Sequence, residues 1–140
     1  MNCLHTFTLE SNRQIKINFD RGDFSSDAGL LRFKEFLHKI GAVKLINRLF
    51  KTNDTACFRI HKDDANLIQV IYQIISAYFF NDCADELTNE PVMTAILDKD
   101  TLASHPTLSR FFNRMNKDTL AQFNLIISHM TIIHCFVMTT

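Results

Sequence analysis

The chain has 140 residues and a mass of 16.2 kDa, which is enough for one domain. Hydrophobic residues make up 46% and charged residues 21%, so the sequence can form a core and is not that of an intrinsically disordered protein. It contains only three glycines and two prolines, which disfavours a many-stranded sandwich or barrel. Composition therefore predicts a mainly α-helical domain.

The formal net charge is zero, but the charges are unevenly distributed. Residues 1–62 carry eleven Lys or Arg and six Asp or Glu, whereas residues 63–140 carry four and nine. The two parts therefore have charges of plus five and minus five. Such an asymmetry is a feature of proteins in which one part faces a polyanion, although folding can interleave the two parts.

The N-terminal segment is typical of a β-hairpin over residues 5–19. Apolar residues alternate with polar ones there, at the period of two that a half-buried strand needs. The short polar stretch 11–13 fits the hairpin loop. Because two strands alone are only marginally stable in water, we expect this hairpin to pack against another element.

The next segments predict three helices. Residues 25–27 offer N-caps for a helix that runs from Ala28 to Ile40 and ends at Gly41, and a second helix follows over 42–50. Asp63 and Asp64 are expected to cap a third helix, over 65–80. This helix is apolar nearly all round, apart from a narrow polar stripe, and we predict that it is the central buried helix. The stripe consists of Asn66, Gln69, Gln73 and Ser76.

Residues 102–115, LASHPTLSRFFNRM, predict a helix with one apolar and one polar face. Ser104 or His105 is the expected cap, with Pro106 in the first turn. The predicted buried face consists of Leu108, Phe111, Phe112 and Met115. The predicted polar face consists of Thr107, Ser109, Arg110, Asn113 and Arg114.

The polar face has the chemistry that DNA recognition uses. Arginine can donate two hydrogen bonds to guanine, asparagine can pair with adenine, and hydroxyls can bind phosphate. A short predicted helix precedes it, with Pro91 at its start and the apolar run 92–97 after it, and gives a helix-turn-helix-like arrangement. From periodicity alone, the solvated face of an ordinary amphipathic helix is the commoner explanation.

The sequence also bears on location. Residues 67–80 are too few to span a membrane, and residues 123–138 are interrupted by polar side chains. No secretory signal is visible, and the four cysteines do not have the spacing of a zinc site. We therefore expect a cytoplasmic protein with reduced thiols and no membrane partner.

Three stretches of the chain resemble bacterial insertion-sequence transposases of the DDE superfamily. Residues 102–115 are similar to the segment LASQPTLSRFxNR of the insertion-sequence family numbered 1380. Residues 26–31 are similar to the opening segment of that family. Residues 78–92 are similar to its segment GYxDxxDxxxLxxDPV. The resemblance covers roughly residues 7–124.

The resemblance implies DNA transposition. Such enzymes cut and join DNA in an RNase-H-like core, in which three carboxylates hold Mg²⁺. The first of these aspartates follows the segment matched by 102–115, and no matching strand follows in this chain. The resemblance therefore implies a DNA-binding and assembly domain over residues 1–125, with the catalytic core absent and no cleavage by this chain alone. Residues 126–140 do not resemble the family, and we interpret them as a divergent, out-of-frame tail.

The predicted partner is double-stranded DNA, at the terminal inverted repeats of the element. Besides the polar helix face, a set of cations in the basic part of the chain is expected to contact phosphates. This set consists of Arg32, Lys39, Lys44, Arg48 and Lys51. We predict neither catalytic residues nor metal ligands in the chain.

Two other functions remain open. The high hydrophobic content and the isoleucine-rich end of the chain also fit a helical interaction module that binds a second copy of itself, an intact transposase or another protein. A stand-alone enzyme ranks last, and Mg²⁺-dependent nicking by the chain would support it.

Overall fold

The computed structural model describes residues 6–18, 29–53, 56, 58–80 and 83–138. As composition predicted, the protein is mainly α-helical. The elements are β1 (Thr6–Thr8), β2 (Lys16–Asn18), α1 (Gly29–Lys39), α2 (Ala42–Leu49), α3 (Asp63–Ile75), α4 (Cys83–Glu86), a 3-10 turn (Leu87–Asn89), α5 (Pro91–Leu97), α6 (His105–Asn113) and α7 (Lys117–Met138).

The two short strands pair antiparallel, with Phe7 opposite Ile17 in the register. Their connection is attached to α1, because the carboxylate of Glu35 accepts hydrogen bonds from the backbone N–H groups of Glu10 (3.0 Å) and Ser11 (2.9 Å). Leu9 is buried in the core. The end positions 5 and 19 of the predicted hairpin lie outside the described residues.

The boundary between α1 and α2 lies where the sequence predicts it. Gly41 has a φ of +68°, a left-handed conformation in which a side chain would be strained. The helix therefore ends after Lys39, and α2 begins directly after the glycine. The predicted caps at 25–27 and the helix start at Ala28 lie outside the described residues.

Helix α3 differs from the prediction at both ends. Asp63 and Asp64 form its first turn instead of capping it, and Lys62 occupies the cap position. The helix stops at Ile75 rather than Phe80, since the backbone turns left-handed at Ala77 with a φ of +66°. Phe79 and Phe80, which the sequence placed in the helix, are exposed beyond this turn.

The polar stripe of α3 faces the interior of the protein. Asn66, Gln69 and Gln73 are all buried, whereas Ile74 and Ile75 are exposed. The prediction of a central buried helix is confirmed for the side that packs against α2 and α6. Tyr72 lies on this helix and meets the ring of Phe33 from α1 edge-on, with ring centroids 5.8 Å apart.

The last element is one continuous helix that crosses position 126. Thr119 and Ile126 of α7 are buried, and Phe123 packs beside them against the core. The helix contacts α2, where the backbone N–H of Lys51 donates to Gln122 Oε1 (2.8 Å). The predicted foreign origin of residues 126–140 stays a prediction.

Candidate nucleic-acid interface

The start of α6 is fixed by a buried glutamine of α3. Gln69 is 0% exposed, and its amide forms two hydrogen bonds with the backbone of Ala103. Gln69 Nε2 donates to the Ala103 carbonyl (2.9 Å), and the Ala103 N–H donates to Gln69 Oε1 (2.8 Å). A paired amide of this kind satisfies both backbone groups, which would be costly to bury alone. It therefore sets where the chain enters α6.

The first turn of α6 has a second attachment. The backbone N–H of His105 donates to Asp85 Oδ1 of α4 (2.8 Å). A carboxylate at this position also interacts favourably with the positive end of the helix dipole. Ser104 precedes the helix and Pro106 lies in its first turn, as the sequence predicts.

The end of α6 is fixed by an ion pair with the first residue of α3. Arg114 Nε donates to Asp63 Oδ2 (3.0 Å), and Arg114 Nη2 contacts Asp63 Oδ1. Thr52 also donates to Asp63. This two-point geometry holds the guanidinium in a defined orientation.

The same contacts explain the acidity of Asp63. Burial on its own would raise the pKa of this carboxyl, but hydrogen bonds from Arg114 and Thr52, and then the charges of Arg114 and Arg59, outweigh it. The pKa of Asp63 therefore lies below its usual value. The carboxylate remains charged at neutral pH and keeps its partner at the end of α6.

The inner side of α6 consists of Leu108 and Phe111, both 0% exposed. The ring of Phe111 packs against Phe50, with centroids 6.2 Å apart, so α6 lies beside the end of α2. Met115 is half-buried, and Phe112 is 37% exposed. The prediction that Phe112 is buried was therefore wrong, since the residue lies at the edge of the inner face.

The structure separates the five predicted DNA contacts on α6. Arg110 and Asn113 are exposed and lie on the outward side, with Ser109 half-buried beside them. Thr107 and Arg114 are half-buried at the flank nearer the core. The hydroxyl of Thr107 lies 3.3 Å from that of Ser104. Three of the five predicted DNA contacts therefore lie on the outward side of α6.

The five predicted phosphate contacts are all exposed. Arg32 and Lys39 lie on α1. Lys44 and Arg48 lie on α2, and Lys51 follows directly after α2. Lys51 Nζ donates to the carbonyl of Asn47 (2.9 Å). Because Phe50 touches Phe111, the basic end of α2 is the part of this set whose position next to α6 is defined.

Sequence reasoning missed the residues that position α6. The sequence placed Gln69 in a narrow polar stripe with no assigned partner, and it placed Asp63 as a cap of its own helix. Their roles depend on partners 34 and 51 residues further along the chain, which no local pattern reveals. The available signal for these roles was the presence of charged and amide side chains on an otherwise apolar helix.

The described carboxylates do not gather into a cation site. Asp98 accepts hydrogen bonds from Lys34 Nζ (2.8 Å) and Asn12 Nδ2 (2.7 Å), while Glu35 is used by the hairpin and Asp63 by Arg114. Among residues 6–18, 29–53, 56, 58–80 and 83–138, no three His, Cys, Asp or Glu lie together as metal ligands. The Mg²⁺ that the resemblance implies therefore has no fitting site in the part of the chain described.

Comparison with known proteins shows the family. A family described as "Transposase DDE domain group 1" matches residues 7–137. The chain belongs to this family of DDE transposase domains. No curated protein and no solved structure matches the chain. Membership links this transposase domain to DNA transposition and indicates DNA as its partner.

The family match extends past the position at which the sequence resemblance ended. It continues to residue 137 and so includes most of α7. In the portion of this transposase domain that the structure describes, no helix combines the length and apolarity that crossing a lipid bilayer requires.

Proposed function

We propose that this chain is the N-terminal DNA-binding part of a DDE transposase and that it recognises the terminal inverted repeats of its element. The observation that carries the proposal is the outward side of α6. Ser109, Arg110 and Asn113 lie there together, on a helix whose two ends are fixed by hydrogen bonds to α3. Side chains that read base edges need such a rigid support.

In this proposal α6 enters the major groove. Arg110 bonds a guanine, Asn113 an adenine, and Ser109 a base or phosphate. Thr107 and Arg114 lie at the flank, and we place their contacts on the sugar-phosphate backbone. Because Asp63 already orients Arg114, this arginine serves α6 as an anchor as well.

The helix-turn-helix-like element is part of the proposal, with α5 as its first helix and α6 as its second. Residues 98–104 connect them, a longer link than the turn of about three to four residues in a helix-turn-helix motif. Helix α5 packs on α1, and α6 packs on α3 and α4. The support of the reading helix therefore comes mainly from α3 and α4.

Exposed cations supply the part of the affinity that does not depend on sequence. Arg48 and Lys51 lie at the end of α2 next to α6, and we propose that they contact phosphates beside the groove that α6 reads. Lys44, Lys39 and Arg32 are also exposed, on α2 and α1, and we propose that they contact further phosphates. Each neutralised phosphate releases counterions, so binding should weaken with salt.

We propose that the 140-residue chain binds DNA without nicking it, because its described carboxylates form no Mg²⁺ site. Incubation of the chain with supercoiled plasmid and Mg²⁺ checks this directly. Nicking that disappears with EDTA would contradict it and would favour a stand-alone enzyme.

The test of DNA binding is a salt series on the purified chain. Duplexes that bind are first selected from a random-sequence pool, and their affinity is measured by fluorescence anisotropy at increasing salt. The logarithm of the affinity should fall against the logarithm of the salt concentration by about 0.9 for each phosphate contact. Absence of binding at low salt, or binding that does not respond to salt, would contradict the proposed function.

One observation favours a second candidate, a protein-interaction module. Residues 119–138 of α7 contain no Asp, Glu, Lys or Arg, and several of its large apolar side chains are exposed. These are Leu120, Leu125, Ile127 and Ile132. An apolar cleft of about 340 Å³ adjoins Leu120 and Phe123. A defined dimer in light scattering, reduced to monomer by Ile127→Gln, would support this candidate, whereas a monomeric wild-type chain would contradict it.

A further inference from the structure

The segment Phe58–Lys62, between α2 and α3, has two exposed apolar side chains, Phe58 and Ile60, which we call its apolar tips. Phe58 is 100% exposed and Ile60 is 90% exposed, the highest values among the large hydrophobic residues described. Both belong to residue types that fold into cores. Neither lies in a helix or strand, and packing among the described residues does not account for them.

Basic side chains flank both tips. Arg59 and Lys62 are exposed and, with Lys51, line an open cleft of about 240 Å³ at the N-terminal end of α3. Asp63 and Asp64 also line it, and Arg59 acts electrostatically on Asp63. Among the described lining residues, three cations face two carboxylates, and this balance suits a polyanionic ligand.

The segment is attached to the end of α6. It leads directly into Asp63, whose carboxylate binds Arg114 at the end of α6 and Thr52 at the start of the α2–α3 connection. A ligand held against the outward side of α6 would therefore extend close to this segment.

We propose that Phe58–Lys62 is a second DNA contact, which inserts Phe58 or Ile60 into the minor groove next to the major groove that α6 reads. The inference rests on the proposed function. Apolar side chains inserted between base steps, with neighbouring cations on the phosphates, are a recurring way to bind and bend the minor groove. The apolar side chains of Phe58 and Ile60 alternate with cations, as this chemistry requires.

The test compares Phe58→Ala/Ile60→Ala with Phe79→Ala in the full chain. Phe79 is also an exposed loop phenylalanine, at 69% exposure, but lies at the far end of α3, so it is the matched control. The probe is a duplex selected from a random-sequence pool by the wild-type chain, with a fluorophore at each end. Anisotropy reports affinity, and energy transfer between the two ends reports bending.

The double variant should lose affinity about tenfold and bend the duplex less, whereas Phe79→Ala should match the wild type. Arg59→Ala should lower the salt slope by about 0.9, and its control Arg13→Ala, in the hairpin connection, should not. Since Phe58, Ile60, Phe79 and Arg13 are exposed, thermal unfolding of their variants should be unchanged.

The remaining outcomes separate this inference from the proposed function. If Arg110→Ala weakens binding but the double variant equals Phe79→Ala in affinity and bending, the second contact is overturned and the α6 assignment stands. If the double variant weakens binding but Arg110→Ala does not, the second contact stands and the α6 assignment falls. A wild-type chain that binds no duplex overturns both.

Discussion

Helices α3 and α6 lie against each other and distribute their polar residues in opposite ways. Helix α6 buries Leu108 and Phe111 and directs Arg110 and Asn113 outward. Helix α3 buries its amides and exposes Ile74 and Ile75 at its C-terminal end. A polar stripe therefore marks the outer surface of one helix and the inner surface of the other.

The difference lies in what the polar groups bind. Gln69 has a backbone partner of matching shape in Ala103, so both polar atoms of its buried amide have a hydrogen-bond partner. On the outward side of α6, Arg110 and Asn113 are exposed, and in our proposal they bind DNA. Gln69, one member of the inward polar stripe, thus positions the helix that bears the outward one.

The largest expected effect concerns the inner side of α6. Phe111→Ala should destabilise the protein by about 3–5 kcal/mol, because it removes a fully buried ring from the contact with Phe50. Phe112→Ala, at the neighbouring but partly exposed ring, should cost clearly less. Urea unfolding of both variants measures the difference. Equal losses would contradict the orientation of α6 described above.

The second prediction concerns a substitution at Gln69, one of the buried polar residues of α3. Gln69→Leu should destabilise the protein by about 2–3 kcal/mol, since it leaves the N–H and carbonyl of Ala103 buried without partners. Urea unfolding again gives the value.

The matched control for this change is Gln73→Leu. Within the described part of the chain, Gln73 Nε2 is buried and has no hydrogen-bond partner. An apolar side chain of similar size should therefore be neutral or stabilising at that position. If the two leucine variants lost the same stability, the special role of Gln69 would be refuted.

Periodicity and turn residues were sufficient for much of the fold. Gly41, Pro91 and Pro106 mark helix boundaries at which backbone geometry allows few alternatives, and the apolar spacing of Leu108 and Phe111 gives the inner face of α6. The end of α3 could not be read in this way, because the left-handed turn at Ala77 occurs at a residue that favours helices.

The candidate site could be predicted only where residues close together in the sequence determine it. The composition of the α6 face follows from consecutive residues, so Arg110 and Asn113 could be selected from sequence. Arg114 fits the same pattern, yet its partner Asp63 comes from another helix. Long-range pairs of this kind depend on tertiary packing, which a single sequence does not display.

The third prediction concerns the ion pair at the end of α6. Asp63→Asn should destabilise the protein by about 1–2 kcal/mol at neutral pH, because the guanidinium of Arg114 loses its charged partner. Since the pKa of Asp63 is lower in the folded than in the unfolded protein, its contribution is present above its usual value of 3.8 and is lost as the pH falls through the folded value.

The pH dependence separates this role from simple packing. In urea unfolding, the difference in stability between wild type and Asp63→Asn should be widest at neutral pH. It should narrow as the pH falls below 3.8 and through the lower pKa that Asp63 has in the folded protein, where its carboxyl becomes protonated. Glu35, whose pKa is also lowered, is unchanged in both proteins and so does not affect the comparison. A gap that stays constant with pH would show that the charge of Asp63 is not what holds α6.

The most direct test of the account is the affinity of Arg110→Ala for duplexes selected by the wild-type chain. The account predicts a loss of about 1–3 kcal/mol in binding, together with relaxed preference at one base pair. Unfolding in urea should be unchanged, because Arg110 is exposed. Lys117→Ala, an exposed cation at the start of α7, is the control for charge alone. Wild-type affinity and base preference in Arg110→Ala would contradict the claim that α6 reads DNA.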